Sequence, residues 1–182
     1  MPITPSIESQ LHDLLAERDI RHVLTRYCRG VDRCDAELIA SCYHDDAVDD
    51  HGNWQVAGKD ASDAIISRVK PGPESAMHFM GNIHIELDGD TAFAESYLLA
   101  FRTAHEGTQA FTRTRAIRFV DRFTRRNNEW KISERVVVDD WNRVDEVKES
   151  MADTPHFRAS SKDRNDPVYT IRKGQVARNP AR

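Results

Sequence analysis

The hydrophobic periodicity of the chain switches between Val69 and Met77, and this limits it to helices first and a sheet afterwards. Before the switch, Ile7, Leu11, Leu14, Leu15, Val23, Leu24, Tyr27 and Val31 recur at close to helical spacing. The pattern predicts a helix that starts at the Thr4-Pro5 cap and stops at Gly30. Asp35 caps a second, short helix through Cys42. Ala47 to Val56 reads as a short strand pair turning at Gly52-Asn53. Asp60 to Val69 reads as a third helix, ended by Pro71-Gly72-Pro73. After the switch, Met77 to Leu87, Thr91 to Thr103, Phe111 to Arg126 and Trp130 to Trp141 are rich in β-branched and aromatic residues. Asp88-Gly89 and Asn127-Asn128 are hairpin turn signals between them. Helices followed by a strand meander mean α+β, with the helices covering one face of a curved antiparallel sheet.

The 182 residues are enough for one domain with a substantial core, since folding at this length buries roughly 70% of the unfolded surface. The division predicted is a domain over 1–149 and a basic, mostly irregular tail over 150–182, with Val168, Tyr169 and Ile171 as anchors. No apolar run approaches the ~20 residues of a membrane span, and the first residues lack the basic-then-apolar order of a secretory signal. Cys28, Cys34 and Cys42 are an odd number at spacings unlike a zinc motif, so buried thiols in a reducing cytoplasm are expected. The net charge is −4, but the tail from Ser150 carries seven basic and three acidic residues, which leaves the body at −8. Nucleic acid is a poor partner for such a body. The tail is expected to lie over an acidic surface of its own or a neighbouring subunit. Together with an open sheet edge, this predicts a homo-oligomer, a dimer or a trimer.

The sequence holds no Gly-rich phosphate loop, G-x-S-x-G turn or H-E-x-x-H zinc helix. Acid–base chemistry by Asp, His, Tyr and Arg is what remains. Strict alternation puts Phe79, Ile83, Ile85 and Leu87 on the buried face of their strand and leaves His78 on the surface. A bulge at Gly81-Asn82 would instead put His78 and Met80 inside with Ile83, Ile85 and Leu87. Both parities are open at this level. Asp32 reads either as a loop carboxylate or as the partner that orients His78 as a general base. Tyr27 stands five residues earlier, about 140° around a regular helix, and shares a pocket with Asp32 only if the helix ends near Gly30. In the last strand, Val136 and Val138 are expected on the face of Trp130 and Ile132, and Arg135, Val137, Asp139 and Trp141 on the other. Arg beside Trp facing a cavity suits an anionic or hydroxylated ring; an Arg135–Asp139 surface pair is the plainer reading. His44 to His51 is a dense run of possible metal ligands. Six candidates on one short stretch cannot converge, so it reads as a solvated loop and no metal is assigned.

Five phrases stand in order: Arg26-Tyr27-Cys28-Arg29-Gly30-Val31-Asp32, Cys42-Tyr43-His44-Asp45-Asp46-Ala47, His78-Phe79-Met80-Gly81-Asn82, Asp88-Gly89-Asp90-Thr91-Ala92 and Trp130-Lys131-Ile132-Ser133-Glu134-Arg135. Together they resemble the SnoaL-like branch of the nuclear-transport-factor-2-like superfamily, from about Ile7 to Val144. The resemblance implies a cone: a strongly bent antiparallel sheet closed by N-terminal helices around an apolar pocket. It also implies catalysis without cofactor or metal, as in the family's dehydratases, dehydrochlorinase, isomerases and deformylating lyases. Asp32 and His78 match the family's catalytic pair, Tyr27 the catalytic tyrosine of its bile-acid dehydratase, and Arg135 the active-site arginine of its dehydrochlorinase. The dehydrochlorinase has a lysine in place of Tyr27. The superfamily also holds non-catalytic subunits of ring-hydroxylating dioxygenases.

The reading that follows is a cofactor-independent, dehydratase-type lyase for a hydrophobic, hydroxylated cyclic or aromatic compound. His78, Asp32, Tyr27 and Arg135 are its expected catalytic groups. Tyr43, Trp54, Met80, Phe101, Val137, Asp139 and Trp141 are its expected substrate contacts. A ketosteroid-isomerase-like enzyme, a deformylating lyase of diaryl compounds, and a non-catalytic dioxygenase subunit or binding module are the alternatives.

Overall fold

The computed structural model describes residues 6–71, 75–148, 158 and 160–172. Helix α1 (Ile7–Asp32) starts where the Ser6 hydroxyl accepts a hydrogen bond from the Ser9 N–H. The expected Thr4-Pro5 start and most of the 71–73 stop lie outside the described residues. α1 does not end at Gly30. It runs two residues further and closes when the Arg33 N–H reaches the Arg29 carbonyl and Cys34 turns to φ 48°. Gly30 has another reason: a Cβ there would stand 2.9 Å from Cγ1 of Ile39, so the missing side chain lets α2 (Ala36–Ala40) pack against α1. Asp35 caps α2 by accepting from the Leu38 N–H.

Strands β1 (Tyr43–Asp50) and β2 (Gln55–Ala57) precede α3 (Gly58–Val69). The long strands β3 (Ala76–Asp88), β4 (Thr91–Glu106), β5 (Gln109–Arg126) and β6 (Glu129–Glu146) follow. They form one curved, unclosed sheet in the order β2-β1-β6-β5-β4-β3, antiparallel except for the parallel β1/β6 pair. The inner face packs on the stripe Ile20, Val23, Leu24, Tyr27 and Val31 of α1 through Tyr43, Phe119, Phe123 and Ile132, and Ile39 of α2 and Cys42 join the same core. The sheet and its helices are thus the α+β cone that the sequence predicts. Among the described residues, no helix is long and apolar enough to cross a membrane.

Three register shifts in the antiparallel part of the sheet decide which side chains face inward. Between Met80 and Ile83 the β3/β4 pairing slips, so His78, Met80, Ile83, Ile85 and Leu87 share the inner face while Phe79 is exposed. The bulged parity holds and the strict alternation does not. In β6, Ser133 is an extra residue opposite Arg122 and Phe123. Trp130 and Ile132 therefore share the buried face with Arg135 and Val137, which corrects the grouping with Val136 and Val138. A second slip, at Asp140, turns Trp141 outward, where it is 50% exposed. The His44–His51 run is not a loop up to Asp50 but strand β1, which buries Ala47 and Asp49 and exposes Asp45, Asp46 and Val48.

Of the tail, Pro167–Ile171 forms a short helix, α4, capped by Asp166. Arg164 reaches Asp35 and Glu37 at 3.1 and 3.4 Å, and the Tyr169 hydroxyl donates to Asp35 at 2.7 Å. Within the described part of the tail, Arg164 and Tyr169 thus rest on acidic residues of the body.

Candidate active site

Asp32 is the last residue of α1, and β3 runs alongside that helix end. Oδ1 of Asp32 lies 2.7 Å from Nδ1 of His78, and Oδ2 accepts the His78 backbone N–H at 3.0 Å. Both carboxylate oxygens thus hold one residue, by its ring and by its main chain. The pair is nearly enclosed, with side chains 15% and 12% exposed. A carboxylate only accepts, so Nδ1 carries the proton and Nε2 keeps the lone pair that takes one up. The negative end of the α1 dipole favours the imidazolium that would form.

His78 borders a cavity of about 320 Å³ inside the cone. Its apolar wall is Val31, Ile65, Val69, Ala76, Ala100, Phe101, Ile117, Phe119 and Val137, joined by Tyr27 and Trp54. Its polar wall is His51, His78, Arg68, Arg102, Arg113 and Arg115. Tyr27 faces this cavity, whereas Asp32 faces a shallower hollow with Thr25, Arg29, Met80 and Val168. The straight helix keeps the two apart, and His78, which lines both spaces, connects them.

Arg135 stands one layer below. It is fully buried, does not line the cavity, and forks onto Asp121 with two bonds of 2.7 Å. Its guanidinium carbon lies 3.9 Å from the ring centre of Phe119 and 4.3 Å from that of Tyr27. Burial disfavours the Arg135 charge, but Asp121 outweighs it and holds the guanidinium protonated. Burial pushes the Tyr27 hydroxyl well above the ordinary tyrosine range, and the Arg135 charge only partly opposes this. Tyr27 is therefore a proton-bearing donor at neutral pH. Cys28, pushed up to about 12 by burial, is no nucleophile.

Of the expected substrate contacts, Trp54, Phe101 and Val137 line the cavity. Tyr43 is buried beneath it, with its hydroxyl 3.4 Å from Arg135. Met80 faces the outer hollow, Asp139 pairs with Arg115 at 2.9 Å, and Trp141 points away. His51, Arg68, Arg102, Arg113 and Arg115 join the site without an expected role. His51 stacks on Trp54 at 3.9 Å, and its Nε2 lies 3.2 Å from Oδ2 of the fully buried Asp49. This is a second Asp–His pair, from the end of β1 and the residue just past it, toward the far side of the sheet from β3. Arg113 and Arg115 share the β5 parity of Ile117 and Phe119, which is a signal that alternation alone could have raised. Among the described residues, no group of three His, Cys, Asp or Glu is arranged to hold a metal.

A cone closed by helices, with an Asp-held histidine at the wall of an apolar cavity, defines the class. The chain belongs to the SnoaL-like domain family, whose model matches residues 12–136. No curated protein matches the sequence. Among solved structures, a hexachlorocyclohexane dehydrochlorinase of type 2 is 20% identical over 82% of this chain and all of its own, with a TM-score of 0.68. A putative scytalone dehydratase from Novosphingobium aromaticivorans is 19% identical over 81% of this chain and 97% of its own, with a TM-score of 0.64. The β subunit of a putative aromatic-ring-hydroxylating dioxygenase from the same organism is 20% identical over 72% and 93%, with a TM-score of 0.57. At these identities the likeness is one of fold.

Proposed function

We propose that the chain is a cofactor-independent lyase that removes water from a hydrophobic, hydroxylated cyclic or aromatic compound. The observation that carries this reading is the double hold of Asp32 on His78 at the wall of an apolar cavity. Nε2 of His78 takes a proton from the carbon next to the hydroxyl-bearing one. The C–H electron pair becomes the new C=C bond, and the C–O pair leaves with the hydroxyl. Asp32 stabilises the imidazolium. Tyr27 is the donor that converts the departing hydroxyl to water. His51, held by Asp49 as His78 is held by Asp32, borders the cavity from the far end of the sheet. Arg135 is a positioning residue: it sets Tyr27 and Phe119 and strengthens Tyr27 as a donor.

The test is turnover of hydroxylated steroids, cyclohexadienols and diaryl compounds, with chelator and without added cofactor, followed by mass spectrometry. General-base catalysis supplies about 10²–10⁴-fold, so Asp32→Asn and His78→Ala should each lose that much. Wild-type rates in both would remove the dyad from the mechanism. Loss of formaldehyde, or isomerisation without mass change, would assign the same dyad to a different reaction.

The dioxygenase-subunit neighbour supports a second reading, a non-catalytic subunit. It predicts no turnover alone and co-purification with a large Rieske-type subunit. A cytoplasmic homodimer or homotrimer goes with the lyase reading. The free thiols of Cys28, Cys34 and Cys42 support the compartment. Exposed Ile7, Leu11 and Leu14 on α1, with Phe79 and Tyr97 on the outer sheet face, support self-association, which sedimentation velocity measures.

A further inference from the structure

The cavity wall is unusual in its charge. A chain of net −4 places four arginines and two histidines in the lining of one cavity, and no acidic residue. The arginines are not there for the fold alone. Arg102 and Arg113 are direct cross-strand partners on the inner face, and like charges in that position repel. Arg102 is held at the C-terminal end of α3, where it donates to the Arg68 and Val69 carbonyls. Arg68 lies over the Trp54 ring at 4.2 Å and donates to the Ala64 carbonyl. Arg115 shares its charge with Asp139. Among the described residues, Arg113 has no hydrogen-bond or ion-pair partner. Among the described residues, one carboxylate, that of Asp139, therefore answers the three guanidinium groups of Arg68, Arg113 and Arg115.

We infer that the cavity takes a ring carrying a carboxylate, with the ring on the apolar wall and the carboxylate on Arg113, assisted by Arg115. This names the substrate class of the lyase site and rests on that reading for its reaction, though not for its binding. The register supplies the spacing. His78, Ala100 and Arg115 lie in one cross-strand row, and Ala76, Arg102 and Arg113 in the next. Strands stand about 4.8 Å apart, so His78 and Arg115 are roughly 10 Å apart at the backbone. The methyl group of Ala100 between them leaves the floor open for a ring. A carboxylate at Arg113 then places the far side of the ring toward His78. The planar guanidinium fork of Arg113 matches a carboxylate in two parallel bonds.

Calorimetric binding of 1-naphthoate and of its neutral methyl ester to the full chain separates charge from shape. The acid is expected to bind at least tenfold more tightly than the ester, and this preference should shrink as salt is raised. Arg113→Gln should abolish the preference and leave ester binding unchanged. Arg143→Gln, whose side chain pairs with Asp145, should leave both as in the parent. Equal binding of acid and ester, a preference that survives Arg113→Gln, or no binding of either probe would each overturn the inference. Because binding needs no turnover, Asp32→Asn should retain the preference. A failed dyad and a failed anion site are therefore read in different experiments.

Discussion

At the residue scale, the most constrained group is the Arg135 guanidinium. It lies fully buried between aromatic rings and is compensated by the two oxygens of Asp121. Breaking one side of such a pair leaves an unpaired buried charge, whereas removing both sides leaves none. Arg135→Met alone should therefore cost about 3–5 kcal/mol in chemical denaturation. Arg135→Met with Asp121→Leu should recover most of that loss, since a well-packed apolar replacement is often neutral. Equal destabilisation of the single and double variants would contradict the pairing. The residue types at this site were legible from the chain: Asp32, His78, Tyr27 and Arg135 stand out by chemistry and by family resemblance. Their division of labour was not. That Arg135 supports the cavity floor rather than touching the cavity depends on the depth at which β6 is buried, and no local pattern states depth.

At the scale of elements, three single-residue slips in the sheet decide which side chains face inward. One brings His78 inside, one groups Arg135 with Trp130 and Ile132, and one sends Trp141 outside. A strand has period two, so every slip exchanges the two faces beyond it. Deleting Asn82 should restore plain alternation in β3 and turn His78 toward solvent while the Ile83–Leu87 face stays buried. The variant is expected to fold, with an unchanged far-ultraviolet circular dichroism spectrum. It should lose as much turnover as His78→Ala, about 10²–10⁴-fold. Full activity in the deletion variant would show that the bulge does not aim His78. Gly81-Asn82 gave a visible reason to suspect the first slip. Ser133 and Asp140 gave none, because their slips are set by partner strands distant in sequence. The Gly30 stop failed for a related reason: the glycine answers to Ile39 across the α1/α2 corner and not to the end of its own helix.

For the whole molecule, the described part of the tail is held against the body by charged and polar contacts. Arg164 and Tyr169 dock on Asp35, beside the end of α1 that carries Asp32. Partial burial and the hydrogen bond to Asp35 push the Tyr169 hydroxyl up to about 12. Its folded value lies above the unfolded one, so its contribution to docking is complete below pH 10. It should be lost as pH rises through about 12. Tyrosine absorbance titration should therefore show one late-ionising group that Tyr169→Phe removes, and limited proteolysis should cut the tail of that variant faster at neutral pH. Unchanged proteolysis would leave the tyrosine without a docking role. The sequence by itself determined the order of elements, the helical stripe on the core, the hairpin turns, the charge split between body and tail, and the residue types offered for acid–base chemistry. These rest on local periodicity, turn chemistry and residue type, which are properties of short stretches. Only the tertiary structure decided the parity of β3 and β6, the second pair His51 and Asp49, the depth of Arg135 and the gathering of four arginines around one cavity. Those follow from strand register and sheet curvature, which bring together residues from opposite ends of the chain and have no signature in any single stretch.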